Sequence, residues 1–251
     1  MRKTFLPLTL SVALVSLFAF VKVNAGGKNA ATAFSDTVTS LQHVAADEAK
    51  EASAAAAQAL YQRMNLEALG LNFDALQYAY KGYQNLLAQG KISNADVLTI
   101  CDFSQSSAQK RMYVLDVANG KVLLNTFVAH GKNSGLDYAT RFSNKLESLQ
   151  SSLGFYVTKS TYNGKHGLSL KLDGQDRGWN DKAEQRAVVV HGAEYIGSGR
   201  KNAALMGRSF GCPAVPQHQA AKVINYIKNG TCLFIYHPTQ AYLSASNVLN
   251  S

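Results

Sequence analysis

What this chain lacks narrows its class. It has only three cysteines, Cys101, Cys212 and Cys232. An odd number cannot all pair within one exported molecule, so at least one thiol stays free. Cys101 and Cys232 lie in strand-like runs; a disulfide between them and two separate buried thiols are both open readings, because geometry decides. There is no block of five or six like charges, which argues against a nucleic-acid-binding tail. Among the six histidines there is no H-E-x-x-H and no tight ligand pair, so a metal centre lacks its usual spacing, and nothing calls for a cofactor. There is no internal repeat. Beyond the first residues, no run is apolar enough to cross a membrane.

What is present begins with an export pattern. Arg2 and Lys3 precede an uncharged apolar run, Phe5 to Val21, which Val23-Asn24-Ala25 closes with a small residue. This predicts a signal peptide over 1–25, with cleavage favoured by Pro7 and the small-residue ending. The competing reading is an uncleaved anchor, since a span needs roughly 17–25 residues; only then would the chain hold to a membrane. Both readings place the rest outside the cytoplasm, in the periplasm or cell envelope. The net charge is +9, and losing Arg2, Lys3 and Lys22 would leave +6. A positive exported protein tends to associate with anionic wall polymers or lipid head groups; a surface charged for solubility explains the same balance.

Residues 26–92 read as a helical spacer or N-terminal helices. The stretch 38–64 is rich in Ala, Glu, Gln and Lys with no proline, and so helical; it is either a spacer or a helix packed on the main domain. A second helix starts at the cap Asn72 and ends at Gly90, with Phe73, Leu76, Tyr80, Tyr83 and Leu87 as its apolar stripe. From Val97 the period changes to that of strands. Asn119-Gly120 between 111–117 and 122–129 predicts a tight hairpin with positive φ at both central residues. Further strands are expected over 154–158, 168–172, 187–191 and 232–236, with a helix over 217–228. The fold class is therefore mainly β with α. A β-sandwich or partly closed barrel over 93–240 follows an N-terminal helical region and precedes a tail, 241–251.

The chemistry concentrates in Arg208-Ser209-Phe210-Gly211-Cys212-Pro213, 21 residues after His191-Gly192. A cysteine between glycine and proline sits on a constrained backbone rather than inside a helix or central strand. Three His-Gly pairs occur, at His130, His166 and His191. His130 and His191 each close an apolar run, where a sheet rim can present them. Cys212 with His191 is the minimum for acyl transfer: a nucleophile and its base. An imidazole and directed N–H groups lower a thiol's pKa, and Arg208 can add positive charge. Gly211, lacking Cβ, can let its own N–H and that of Cys212 converge on an oxyanion.

These residues resemble the L,D-transpeptidase family, with its YkuD-type catalytic domain, and within it the murein L,D-transpeptidase branch. In that family a strand-end His-Gly is followed by Ser/Thr-x-Gly-Cys, here His191-Gly192 and Ser209-Phe210-Gly211-Cys212. Val128-Ala129-His130-Gly131, Phe142-Ser143-Asn144 and Ser152-Leu153-Gly154-Phe155-Tyr156 look like phrases of the branch. The resemblance implies that Cys212 is the nucleophile and His191 the base, oriented by the Gly192 carbonyl. It places oxyanion or substrate contacts at Gly211, Ser209 and Arg208. It further implies peptidoglycan stem peptides as partners, a Cys212 thioester, 3→3 cross-links and sensitivity to carbapenems. Two positions depart from the family pattern: Phe210 stands where many members have histidine, and Ala214 where many have arginine. The second histidine's contribution is then absent, and the arginine's role falls to Arg208 or is missing. Hydrolysis of the same thioester, as an L,D-carboxypeptidase or endopeptidase, and a non-catalytic wall-binding module are the alternatives.

Overall fold

The computed structural model describes residue 44, residues 47–48, 50–197 and 207–251. The expected signal peptide lies outside these residues. Helix α1 covers 50–63. It packs rather than projects: Ala57 and Met64 are buried, Tyr61 donates to the Leu71 carbonyl at 2.7 Å, and the Ser53 hydroxyl donates to Gln84 Oε1. A spacer is thus not what these residues form.

Helix α2, Phe73–Ala88, starts where Asn72 Oδ1 accepts from the Asp74 N–H at 2.8 Å. Its buried face is Ala75, Leu76, Ala79, Gly82, Tyr83 and Leu86. That face is rotated from the expected stripe, and Leu87 is exposed. Small residues let the helix approach the sheet: a Cβ on Gly82 would collide with the Phe155 ring.

Eight strands make one mixed sheet in the order β3-β2-β1-β8-β4-β5-β6-β7. They are β1 Val97–Asp102, β2 Met112–Asp116, β3 Lys121–Thr126, β4 Gly154–Gly164, β5 Gly167–Gly174, β6 Val189–Ala193, β7 Ala214–Pro216 and β8 Cys232–Tyr236. β1–β8 and β6–β7 are parallel pairs; the others are antiparallel. The chain beyond β3 runs on to meet the opposite edge, where the Ala129 N–H donates to the Ala214 carbonyl at 2.8 Å. The two edges of the sheet so come together, and the barrel is nearly closed. Every residue of β1 and β8 is buried, because α2 lies over both strands. Helix α3, Gln217–Ile227, buries Ala220, Val223, Ile224 and Ile227 against strands from both halves of the sheet.

The β2–β3 turn differs from expectation. It spans four residues, 117–120, and only Gly120 has positive φ, at 63°. The Asp116 carboxylate accepts from the Asn119 backbone and side-chain nitrogens and stabilises the longer loop. Cys101 and Cys232 are both buried and free; they lie three register positions apart on neighbouring strands.

The expected boundaries at 92/93 and 240/241 do not separate cores. One compact unit covers 47–251, and α2 shares its core with the sheet. The C-terminal residues form helix α4, Gln240–Ala245, and are tied in through the fully buried Asp176. Its carboxylate accepts from the Phe155 N–H at 2.8 Å, Tyr242 hydroxyl at 3.0 Å, Ser246 hydroxyl at 2.5 Å and Val248 N–H at 3.3 Å. Asp176→Ala is expected to cost about 2–4 kcal/mol, because it leaves buried donors unpaired. The urea midpoint measures this; an unchanged midpoint would show that the C-terminal segment is held by its apolar contacts alone.

Candidate active site

The site forms where β6 and β7 run side by side. Their register sets His191 beside Ala214, two residues after Cys212. Cys212 itself sits in the turn just before β7. Three attachments fix this turn. The Ser209 N–H donates to the His130 carbonyl at 2.9 Å. The Ser209 hydroxyl donates to the Cys212 carbonyl at 2.6 Å. The Ser151 hydroxyl faces the Gly211 carbonyl at 3.4 Å and accepts from the Gly131 N–H at 3.0 Å. Gly211 has φ +123°, and a Cβ there would lie 2.8 Å from the Gln150 carbonyl oxygen. Only glycine fits both the dihedral and the space.

His191 is nearly buried, at 4% exposure. Its Nδ1 lies 2.8 Å from the Gly192 carbonyl oxygen. A carbonyl only accepts, so Nδ1 carries the proton and Nε2 keeps its lone pair. Gly192 is in turn pressed on α3: a Cβ would run into Gln217 and Ala220. The Cys212 sulfur accepts from the Val189 N–H and faces the Ala187 carbonyl, both at 3.5 Å. Cys212 and His191 line one cleft of about 580 Å³, together with His166, Arg186, Arg208 and Phe210 among others.

The electrostatics favour a neutral resting pair. Burial pushes the Cys212 thiol up, against the Val189 N–H and the Arg186 charge, which pull it down. Burial also pushes His191 down; the Gly192 carbonyl opposes this and His166 adds to it. A neutral imidazole with a free Nε2 can take a proton, and a thiolate formed here gains a cation beside it.

That cation is Arg186, which the sequence reading missed. Its guanidinium donates to the carbonyls of Ser143, at 2.7 Å, and Gln150, at 2.6 Å, and to the hydroxyls of Ser148 and Ser152. It thereby pins the 143–152 loop behind Gly211. No motif marks it; it is the last of several charged residues before the apolar run 187–190. Arg208, the expected source of charge, instead donates to the Lys132 and Gly135 carbonyls at 3.1 and 3.2 Å, so it lines the cleft while bracing a loop. The oxyanion expectation also changes in part. The Gly211 N–H donates to Ser209 Oγ at 3.1 Å, so it is engaged within the turn rather than open to a substrate oxygen. Ser209 is buried and organises the turn.

The other two histidines separate cleanly. His130 is fully buried, with Nδ1 2.7 Å from the Arg111 guanidinium. Arginine only donates, so Nδ1 accepts, and Nε2–H is left to face the Gly135 carbonyl. His166 stacks on His191, with ring centroids 4.3 Å apart and planes at 22°. Phe210 is 70% exposed, with Lys132 Nζ 4.5 Å from its ring centroid. Among the described residues no group of three or more His, Cys, Asp or Glu is placed to hold a metal ion.

A family model described as L,D-transpeptidase catalytic domain matches residues 67–236. No curated protein matches the chain. Solved structures similar to it include an L,D-transpeptidase from Mycobacterium smegmatis, at 15% identity and TM-score 0.36, covering 57% of this chain and 59% of that one. An L,D-transpeptidase from Mycobacterium tuberculosis H37Rv has 15% identity, TM-score 0.34 and coverages of 57% and 58%. An Enterococcus faecium L,D-transpeptidase has 14% identity, TM-score 0.33 and coverages of 56% and 50%. The chain thus spans less than two thirds of the length of these proteins.

Two measurements test the electrostatics. Burial, then Arg111, lowers His130 to about 4. The unfolded chain, with an ordinary histidine near 6.5, therefore takes up a proton that the folded chain refuses between pH 6.5 and 4. Stability should be full above that window and fall on acidification, by about 2 kcal/mol between pH 7.5 and 5. Urea midpoints that do not move over this range would contradict the assignment. Arg186→Gln should raise the Cys212 thiol pKa and slow its alkylation by iodoacetamide at neutral pH about tenfold. An unchanged pH–alkylation curve would remove Arg186 from the electrostatics of the thiol.

Proposed function

The chain belongs to the L,D-transpeptidase catalytic domain family, and on that premise we propose that it is an exported cysteine acyltransferase acting on peptidoglycan stem peptides. The observation that carries the reading is that Cys212 and His191 line one cleft, with His191 Nδ1 turned to the Gly192 carbonyl so that Nε2 keeps its lone pair. His191 Nε2 takes the Cys212 proton as sulfur attacks the carbonyl carbon of the L-centre residue joined to the terminal D-alanine of a tetrapeptide stem. The Cys212 N–H is the donor assigned to the developing oxyanion, and Arg186 favours the thiolate. The carbon–nitrogen bond breaks, the D-alanine amine leaves with the proton from His191, and a thioester remains.

The second half runs the same steps backwards. An amine on a neighbouring stem attacks the thioester and gives its proton to His191. The carbon–sulfur bond breaks, sulfur regains the proton, and a 3→3 cross-link is left. Water in place of the amine gives L,D-carboxypeptidase or endopeptidase activity. Phe210 lines the same cleft and is exposed. Export places the protein in the periplasm or cell envelope, where its positive charge favours the anionic wall.

Incubation with tetrapeptide muropeptides, followed by mass analysis, should yield cross-linked dimers with loss of D-alanine. Trimmed monomers alone would mean hydrolysis. Cys212→Ala should abolish either product; a variant that still turned over would end the thiol mechanism. A carbapenem should leave one covalent adduct, on Cys212, and no adduct would favour a wall-binding module.

A further inference from the structure

The turn between β4 and β5 reaches into the catalytic cleft. The register of the two strands ends on the pair Gly164↔Gly167, so Lys165 and His166 form a two-residue turn, with Gly167 at φ +74°. A register shift between Thr158 and Thr161 sets this arm off from the part of β4 that pairs with β8. The arm is exposed from Lys159 to Gly167. Yet both turn residues line the cleft, and the His166 ring lies nearly parallel on that of His191, at 4.3 Å.

His191 is thereby held by two contacts of different kinds. The Gly192 carbonyl fixes its tautomer in the plane of the ring. His166 covers one face of that plane. A stacked aromatic cover restricts rotation and keeps water from the face. Both effects favour a neutral, oriented base over a hydrated imidazolium.

We propose that His166 is a positioning residue for His191, acting through the face of its ring to hold the base in place and shield it from water. The inference rests on His191 being the base, and it adds a residue from a separate element to the machinery. The other titratable or charged groups lining the same cleft are Tyr162 and Lys165 on the arm, Arg186 before β6, Tyr195 after it, and Arg208 and Cys212 on the nucleophile side. Among the described residues none of these is acidic, so no carboxylate lining the cleft there opposes the effect of the stack. The charge of His166 also lowers the His191 pKa; this is an effect separate from the ring cover, and the His166→Phe variant tells the two apart.

The test is a histidine NMR titration of the full chain, with the His191 resonance assigned by a His191→Gln variant. His166→Ala uncovers the ring and should move the His191 titration upward by roughly 0.5 unit or more. His166→Phe keeps a flat ring over His191 and should hold the titration near its parent position. An unmoved titration in His166→Ala overturns the proposal, and so does an equal shift in both variants, which would assign the effect to charge rather than to the ring. In turnover, the acid limb of kcat/KM should follow the titration to higher pH in His166→Ala, with recovery in His166→Phe. Because the titration needs no substrate, it decides the role of His166 even if no acyl transfer to muropeptides is observed. Both variants lie on an exposed turn, and an unchanged urea midpoint would separate their effect from a loss of fold.

Discussion

The parallel pairing of β6 with β7 is the constraint on which the site depends. Parallel neighbours cannot be joined by a tight hairpin; they require a crossover of a dozen residues or more. The chain therefore leaves the sheet after Ala193 and returns at Ala214. The histidine stands on the departing strand and the cysteine on the last turn of the return. Their separation in sequence and their nearness in space have the same cause. The turn holds its shape because Ser209 and Ser151 satisfy its backbone from two sides, and because Gly211 leaves room for the Gln150 carbonyl.

Burial sets the electrostatic starting point. It drives both thiol and imidazole towards their neutral forms, so the charge separation of proton transfer must be supported locally. The Val189 N–H and the Arg186 guanidinium lie on the thiol side and pull its pKa down. Cys101 shows what burial does when that support is too weak: its thiol is pushed up to about 12, where almost no thiolate forms. Two thiols on neighbouring strands of the core are thus inert, and the reactive candidate is the one at the rim.

The helices and strands were largely legible because their signals are local. Asn72 caps α2 as its side chain suggests, and the β-branched run before His191 forms a strand. Where local signals misled, packing was the reason. Leu87 fits the helical period, but Ala79 and Gly82 let α2 approach Phe155 more closely, and the buried face turned towards them. Asn119-Gly120 favours a two-residue turn, but Asp116 caps a longer one. Residues 241–251 carry no strong pattern of their own and read as a tail until Asp176 gathers them into the core.

By itself the sequence determined the candidate reactive atoms: a cysteine held between glycine and proline, a histidine ending an apolar run, which the structure sets in the middle of β6, and a glycine whose carbonyl can hold that histidine. These are properties of neighbours along the chain, and composition and dihedral preference express them directly. The tertiary structure alone decided which charge faces the thiol, Arg186 rather than Arg208, which histidine lies on His191, and which amide of the nucleophile turn is already engaged. Those choices depend on loops and hairpins brought together by the closing of the sheet. Electrostatic and stacking energies depend on distance in space, and the separation of residues along a chain does not encode it.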